Sequence, residues 1–225
     1  MNSRLMLSTT VFSLLVTSFS QAAIITSPTT LNPGEQYRLA FVTSTTRDAT
    51  SSDIADYDSF VQNAADAVPQ LLSLGATWKA VGSTATVEAR DNTDTNPDDS
   101  TGVPIFLLND TKLADDNADL WDGSIDVNFD VTEMGTQIGD INVWTGTFFT
   151  GQRLTTAFLG GVGNVGSGRS GFTSSFWVRV NEFPSGDFDH PLYAISSVLT
   201  AVPEPSSCLV LLVGCCGMFS ALRIR

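Results

Sequence analysis

The side chains with the plainest capacity for chemistry are carboxylates. Within Asp91-Asn92-Thr93-Asp94-Thr95-Asn96-Pro97-Asp98-Asp99 the spacing Asp94-x-Asn96-x-Asp98 puts alternating oxygens on one side of an extended loop, the kind of donor set a hard cation such as calcium takes. No glycine follows at the turn and no glutamate closes a twelve-residue cage, so the EF-hand pattern is not met. A solvated acidic loop is the better reading, with calcium at Asp94, Asn96 and Asp98 as its rival. The second cluster, Asp115, Asp116, Asp119 and Asp122, suits the capping of a helix N-terminus as well as a metal.

Catalytic types are few. His190 is the only histidine and precedes Pro191, which leaves no second histidine for a zinc site. No Gly-x-Ser-x-Gly elbow supplies a nucleophile. Glu133 paired with a loop aspartate is the arrangement a glycoside hydrolase uses, but a chain with 24 acidic side chains offers such pairs by composition alone. The reading is therefore non-enzymatic, with a carboxylate-based hydrolase as the remote alternative. Trp78, Trp121, Trp144 and Trp177 sit beside strands and turns; buried packing is favoured for them over a sugar-stacking platform.

The formal charge is −13, which repels nucleic acid and anionic lipid and favours a soluble surface. No basic footprint for nucleic acid exists. All three cysteines, Cys208, Cys215 and Cys216, lie near the C-terminus, so the region before them is held by packing and not by disulfides.

These residues must be positioned by a modest set of elements. Tyr37 to Thr43 reads as a strand with apolar groups at 37, 39 and 41. Ser52 or Asp53 offers an N-cap to a helix in which Ile54, Tyr57, Phe60, Val61, Ala64, Ala65 and Val68 recur at helical spacing, ending near Pro69 or continuing to Gly75. Thr77 to Val81 is a short buried strand, Arg90 to Gly102 a polar loop, and Val103 to Leu108 with Lys112 to Ala114 a hairpin around Asn109-Asp110-Thr111. Ile125, Val127, Phe129 and Val131 alternate with polar residues as a half-buried strand or extended arm. Val143 to Thr147 is a further strand, Gly160 to Gly171 a Gly/Ser-rich loop, Phe172 to Val180 an alternating segment, and Leu192 to Leu199 the closing strand. Short strands, one good helix and long loops describe an α+β domain, and such loops are where binding sites collect.

The two ends read as export signals. Arg4, the apolar segment Leu5 to Phe19, and Ser20-Gln21-Ala22 form a signal peptide over residues 1–22. At the other end, Val202-Pro203-Glu204-Pro205 precedes an uncharged run from Cys208 to Leu222, closed by Arg223 and Arg225. As a helix that run is about 22 Å long, short for a bilayer core of about 30 Å, and the arginines hold its end on the cytoplasmic side. Residues 202–225 resemble the PEP-CTERM tail of bacterial exported proteins. The resemblance implies that an exosortase reads the tail, that the helix 208–222 anchors the protein in the membrane until processing, and that the mature protein resides in the cell envelope or extracellular matrix.

The exported region 23–201 has a resemblance of its own. Tyr37 to Ser44, Ala64-Ala65-Asp66-Ala67, Gly75-Ala76-Thr77-Trp78-Lys79-Ala80, Pro104 to Leu113, Ala118-Asp119-Leu120-Trp121-Asp122-Gly123, Val131-Thr132-Glu133 and Val143-Trp144-Thr145-Gly146-Thr147 follow in order the pattern of a family of bacterial surface proteins of unknown function. That family resembles the C-type-lectin-like and endostatin-like fold, which implies short antiparallel strands, one main helix and long loops, with the first and last strands paired. It also implies a structural or adhesive surface module, with extracellular polysaccharide as partner. A calcium-dependent carbohydrate-binding module is the alternative, although the Glu-Pro-Asn and Gln-Pro-Asp triplets of such sites have no counterpart here.

Overall fold

The computed structural model describes residues 23–202. The signal segment 1–22 and the tail from Pro203 onward, including the membrane segment 208–222, Arg223 and Arg225, lie outside the described residues. Among the described residues no helix is long and apolar enough to cross a membrane.

The fold is α+β, built on strand β1, Gln36–Val42, in which every residue from Tyr37 to Val42 is buried. A strand covered on both faces belongs in the middle of a sheet, and β1 has neighbours on both sides. It pairs antiparallel with β8, Tyr193–Ser196, in the register Ala40 to Ile195 and Val42 to Tyr193, so the first and last strands are joined as expected. On its other side it pairs with β3, Ile105–Leu107, and this pairing is parallel, a departure from the purely antiparallel expectation. A parallel neighbour requires a long crossover, and the segment between β1 and β3 supplies it with helices α1, Ile54–Asp66, and α2, Pro69–Leu72, strand β2, Trp78–Ala80, and helix α3, Ala89–Asn92. Strand β4, Lys112–Ala114, closes one edge as the hairpin partner of β3, and β2 closes the other beside β8.

Helix α1 starts where Asp53 accepts a hydrogen bond from the Ala55 amide at 3.0 Å, one of the two caps the sequence offers. Tyr57, Val61 and Ala65, spaced by four, are fully buried on its inner face. Pro69 then opens α2 at a first-turn position, where its missing amide proton costs nothing. Buried Asp58 locks this layer to the sheet: one oxygen accepts from the Ala80 amide at 2.9 Å and Asn92 Nδ2 at 2.8 Å, the other from Lys79 Nζ at 2.8 Å. Phe41 and Trp78 pack beneath with ring centroids 4.8 Å apart.

A second, three-stranded sheet joins β5, Asn142–Trp144, β6, Val165–Arg169, and β7, Asn181–Phe183. Its central strand β6 falls inside Gly160 to Gly171, which the sequence reading takes as loop. The glycines are what make it a strand here. A Cβ on Gly168 would lie 1.9 Å from the Trp177 carbonyl oxygen, so only glycine permits that backbone approach. Phe172 to Val180 is likewise no strand; it folds into a 3-10 turn, Ser175–Trp177, that buries Trp177 and leaves Phe172 and Phe176 exposed. The arm 125–131 bends at Asp126 and Val127 and forms no strand of its own; it touches the turn that follows through a Val131–Gln137 bridge. The closing segment is divided, β8 being followed by β9, Leu199–Thr200, which pairs with the start of β1.

Candidate functional site

The acidic loop begins with α3, so Arg90 to Gly102 is not loop throughout. Asp94 adopts a left-handed backbone, φ 53°, which turns the Thr93 and Asp94 carbonyls toward Arg38; its guanidinium donates to them at 3.1 and 3.0 Å. Asn96 donates to Asp91 Oδ1 at 2.7 Å and accepts from the Asp98 amide at 3.0 Å, while the Asp98 carboxylate pairs with Arg90 Nη1 at 3.2 Å. The Asn96 oxygen and one oxygen of the exposed Asp98 are thus engaged in fastening the loop. Among the described residues no group of three or more His, Cys, Asp or Glu side chains converges on a point a metal could occupy.

The second cluster follows its capping alternative. Helix α4, Asn117–Leu120, takes Asp116 as its cap, with Oδ1 accepting from the Asp119 amide at 2.9 Å. Asp119 in turn accepts from the Asp115 amide at 2.6 Å, and Asp122 from the Ser124 amide at 2.9 Å. Glu133 is buried and accepts from both the amide and the hydroxyl of Ser44. His190 packs edge-on against Trp144, centroids 4.6 Å apart, and tilted against Phe183, also at 4.6 Å. Burial in that aromatic cluster pushes its imidazole below the usual histidine range. All four tryptophans are buried, so none forms a surface platform.

Among the grooves that open to solvent, two combine polar side chains with apolar ones. The first, of about 320 Å³, lies beside the β3–β4 hairpin. The hairpin turn contributes Asn109 and Thr111, the 125–131 arm contributes Val127, Asn128 and Asp130, Leu107 of β3 joins Val127 as the apolar part, and Gln137 and Thr173 close it. The Val131–Gln137 bridge delivers Gln137, and the Ile125 amide, donating to the Thr173 carbonyl at 2.8 Å, delivers Thr173. Asp130 is 7% exposed, its side chain meets only Gln137 Nε2 at 3.4 Å, and burial pushes its carboxyl above the usual range. The sequence reading misses this site because its residues span positions 107 to 173 with no spacing in common.

The second groove, of about 370 Å³, is formed where a tight hairpin faces Glu182 of strand β7 and Arg179 just before it. Thr147 bridges to Arg153, and the Phe148 amide donates to the Gln152 carbonyl at 2.7 Å. Gly151, φ 79°, makes the turn. Phe148, Arg153, Thr155, Thr156, Arg179 and Glu182 line the space.

No family model matches the chain, and no curated protein does either.

Proposed function

We propose that this chain is a non-enzymatic, exported cell-surface or extracellular-matrix module of C-type-lectin-like fold, delivered by a PEP-CTERM tail and acting in structure or adhesion through a matrix polysaccharide. The tail residues Val202, Pro203, Glu204 and Pro205, with Arg223 and Arg225, motivate exosortase sorting and a transient membrane anchor. Pairing of β1 with β8 across the whole domain, with the loops lying between them in sequence, favours the lectin-like reading.

The observation that carries the binding role is the groove at Asp130. Asn109, Thr111, Asn128, Gln137 and Thr173 offer amide and hydroxyl groups around the apolar side chains of Leu107 and Val127. A sugar ring, with hydroxyls on its rim and C–H groups on its faces, complements such a surface. Glu133, the example of a carboxylate for the hydrolase alternative, is held by Ser44 instead, which favours binding over turnover.

Two measurements test this reading on protein recovered from the producing cell. Intact mass from envelope and medium should give a species ending near Pro203; a species still ending at Arg225 in both fractions removes the sorting claim. The recovered protein should be retained by the producer's own matrix polysaccharide and Asn128→Ala should be retained less strongly; equal retention of the two removes the groove from the account.

A further inference from the structure

We infer that the Arg153–Arg179 groove is a second binding site, for the carboxylate of an acidic saccharide such as a uronate residue; this deepens the polysaccharide-binding reading and rests on it. Among the described residues, Arg153 is the one exposed cation without a carboxylate within ion-pair distance. Arg47, Lys79, Arg90, Lys112, Arg169 and Arg179 each have one, and Arg38 is buried against backbone carbonyls. In a chain of charge −13 an unmatched guanidinium is the exception, and it faces a groove, not open surface.

The groove is built to hold that charge in place. The Arg153 guanidinium lies over the Phe158 ring at 6.0 Å, and that of Arg179 over the Phe148 ring at 5.4 Å, so an aromatic ring backs each cation. Glu182 pairs with Arg179 at 3.3 Å and accepts from Asn164 at 3.3 Å, which fixes Arg179 and leaves the groove with one uncompensated positive charge. A guanidinium takes a carboxylate through two parallel hydrogen bonds. The Thr155 and Thr156 hydroxyls and the Glu182 carboxylate are suited to sugar hydroxyls rather than to a second anionic group. A ligand carrying one carboxylate among several hydroxyls meets all of these groups. Everywhere else the acidic surface repels it, so net charge works as a filter that concentrates such a ligand at this groove.

The test is affinity electrophoresis of the full-length protein through gels containing polygalacturonate, its carboxyl-reduced neutral counterpart, or dextran sulfate. Polygalacturonate should retard the wild type and a Lys112→Gln control alike, the retardation should weaken with added salt, and Arg153→Ala should bind about tenfold more weakly. Arg153 makes no hydrogen bond that the fold depends on, and Arg153→Lys, which keeps the charge but not the fork, should recover part of the effect. The assignment is overturned if Arg153→Ala migrates like the wild type, if the neutral polymer retards equally, or if polygalacturonate has no effect. Equal retardation by dextran sulfate would overturn the carboxylate class and leave a general polyanion surface. Failure here is separable from failure of the matrix-binding reading, which is judged on the producer's own polysaccharide with Asn128→Ala.

Discussion

Arg38 Nη1 donates to the Ser196 carbonyl at 2.7 Å, tying the first strand of the domain to the last main strand directly beneath the acidic loop. The same guanidinium reaches the Thr93 and Asp94 carbonyls, so one buried side chain fixes the β1–β8 pairing and the left-handed turn at Asp94 together. Truncation leaves two buried acceptors, the Thr93 and Ser196 carbonyls, without this donor, while the Asp94 carbonyl, on an exposed residue, can turn to water. Each buried one costs roughly 1–3 kcal/mol, so Arg38→Met should lower the unfolding free energy by at least about 2 kcal/mol in urea titrations. A loss of only a few tenths would mean that the loop and strand ends repair themselves.

Gly168→Ala should be among the most damaging single-methyl additions in the domain. The new Cβ would meet the Trp177 carbonyl oxygen, its carbonyl carbon and the Val178 Cα within 2.7 Å, all backbone. Trp177 cannot retreat, because it packs between Trp121 and Tyr193 at centroid separations of 5.6 and 5.7 Å. Overpacking of this sort costs about 1–3 kcal/mol and sometimes more, read as a depressed Tm with the m-value retained. Gly163→Ala is the control, since nothing lies within 4 Å of its added methyl.

The same glycine marks where the sequence stops being legible. β1, α1, β2 and the β3–β4 hairpin follow from local pattern: apolar residues at strand or helix spacing, an aspartate cap, and an Asn-Asp turn. β6 does not, because Val165-Gly166-Ser167-Gly168-Arg169 has the composition of a loop and becomes a strand only through the tertiary approach of Trp177. The apolar alternation of 172, 176, 178 and 180 suggests a strand for the converse reason. Phe172 and Phe176 remain exposed while Trp177 and Val178, adjacent in sequence, are both buried, a pattern set by one tight turn and not by period two. Of the site residues, the acidic loop is conspicuous in sequence and fastens itself, whereas Asp130 and Arg153 are single residues among many of their kind. What distinguishes them is burial beside a groove for one and the lack of a carboxylate for the other, and both arise only when distant segments meet.

Calcium should leave the melting temperature unchanged. A ligand that binds only the native state raises Tm according to its concentration relative to Kd, and the loop would have to release the Arg90–Asp98 pair and the Asn96–Asp91 bond to turn those side chains toward an ion. Thermal melts with millimolar calcium and with a chelator should therefore superimpose. A calcium-dependent rise that Asp98→Ala abolishes would restore the cation site and the calcium-dependent lectin alternative with it.

Asp130 gives the groove beside the hairpin a pH signature. Burial raises its carboxyl above the unfolded value of 3.8, so the native state holds the proton to higher pH than the unfolded chain does. Its contribution is most favourable below the unfolded pKa and declines as pH rises through the folded one. In Asp130→Asn no proton is exchanged, and the amide oxygen still accepts from Gln137. Wild type should therefore lose stability relative to Asp130→Asn as pH rises from below the unfolded value of 3.8 through the raised native one. Urea midpoints of the two proteins measured in parallel across that range check it. A difference that stays flat, or that moves in favour of the wild type, would mean that the Asp130 carboxylate is well solvated through the groove mouth and carries no desolvation cost for a bound sugar hydroxyl to relieve.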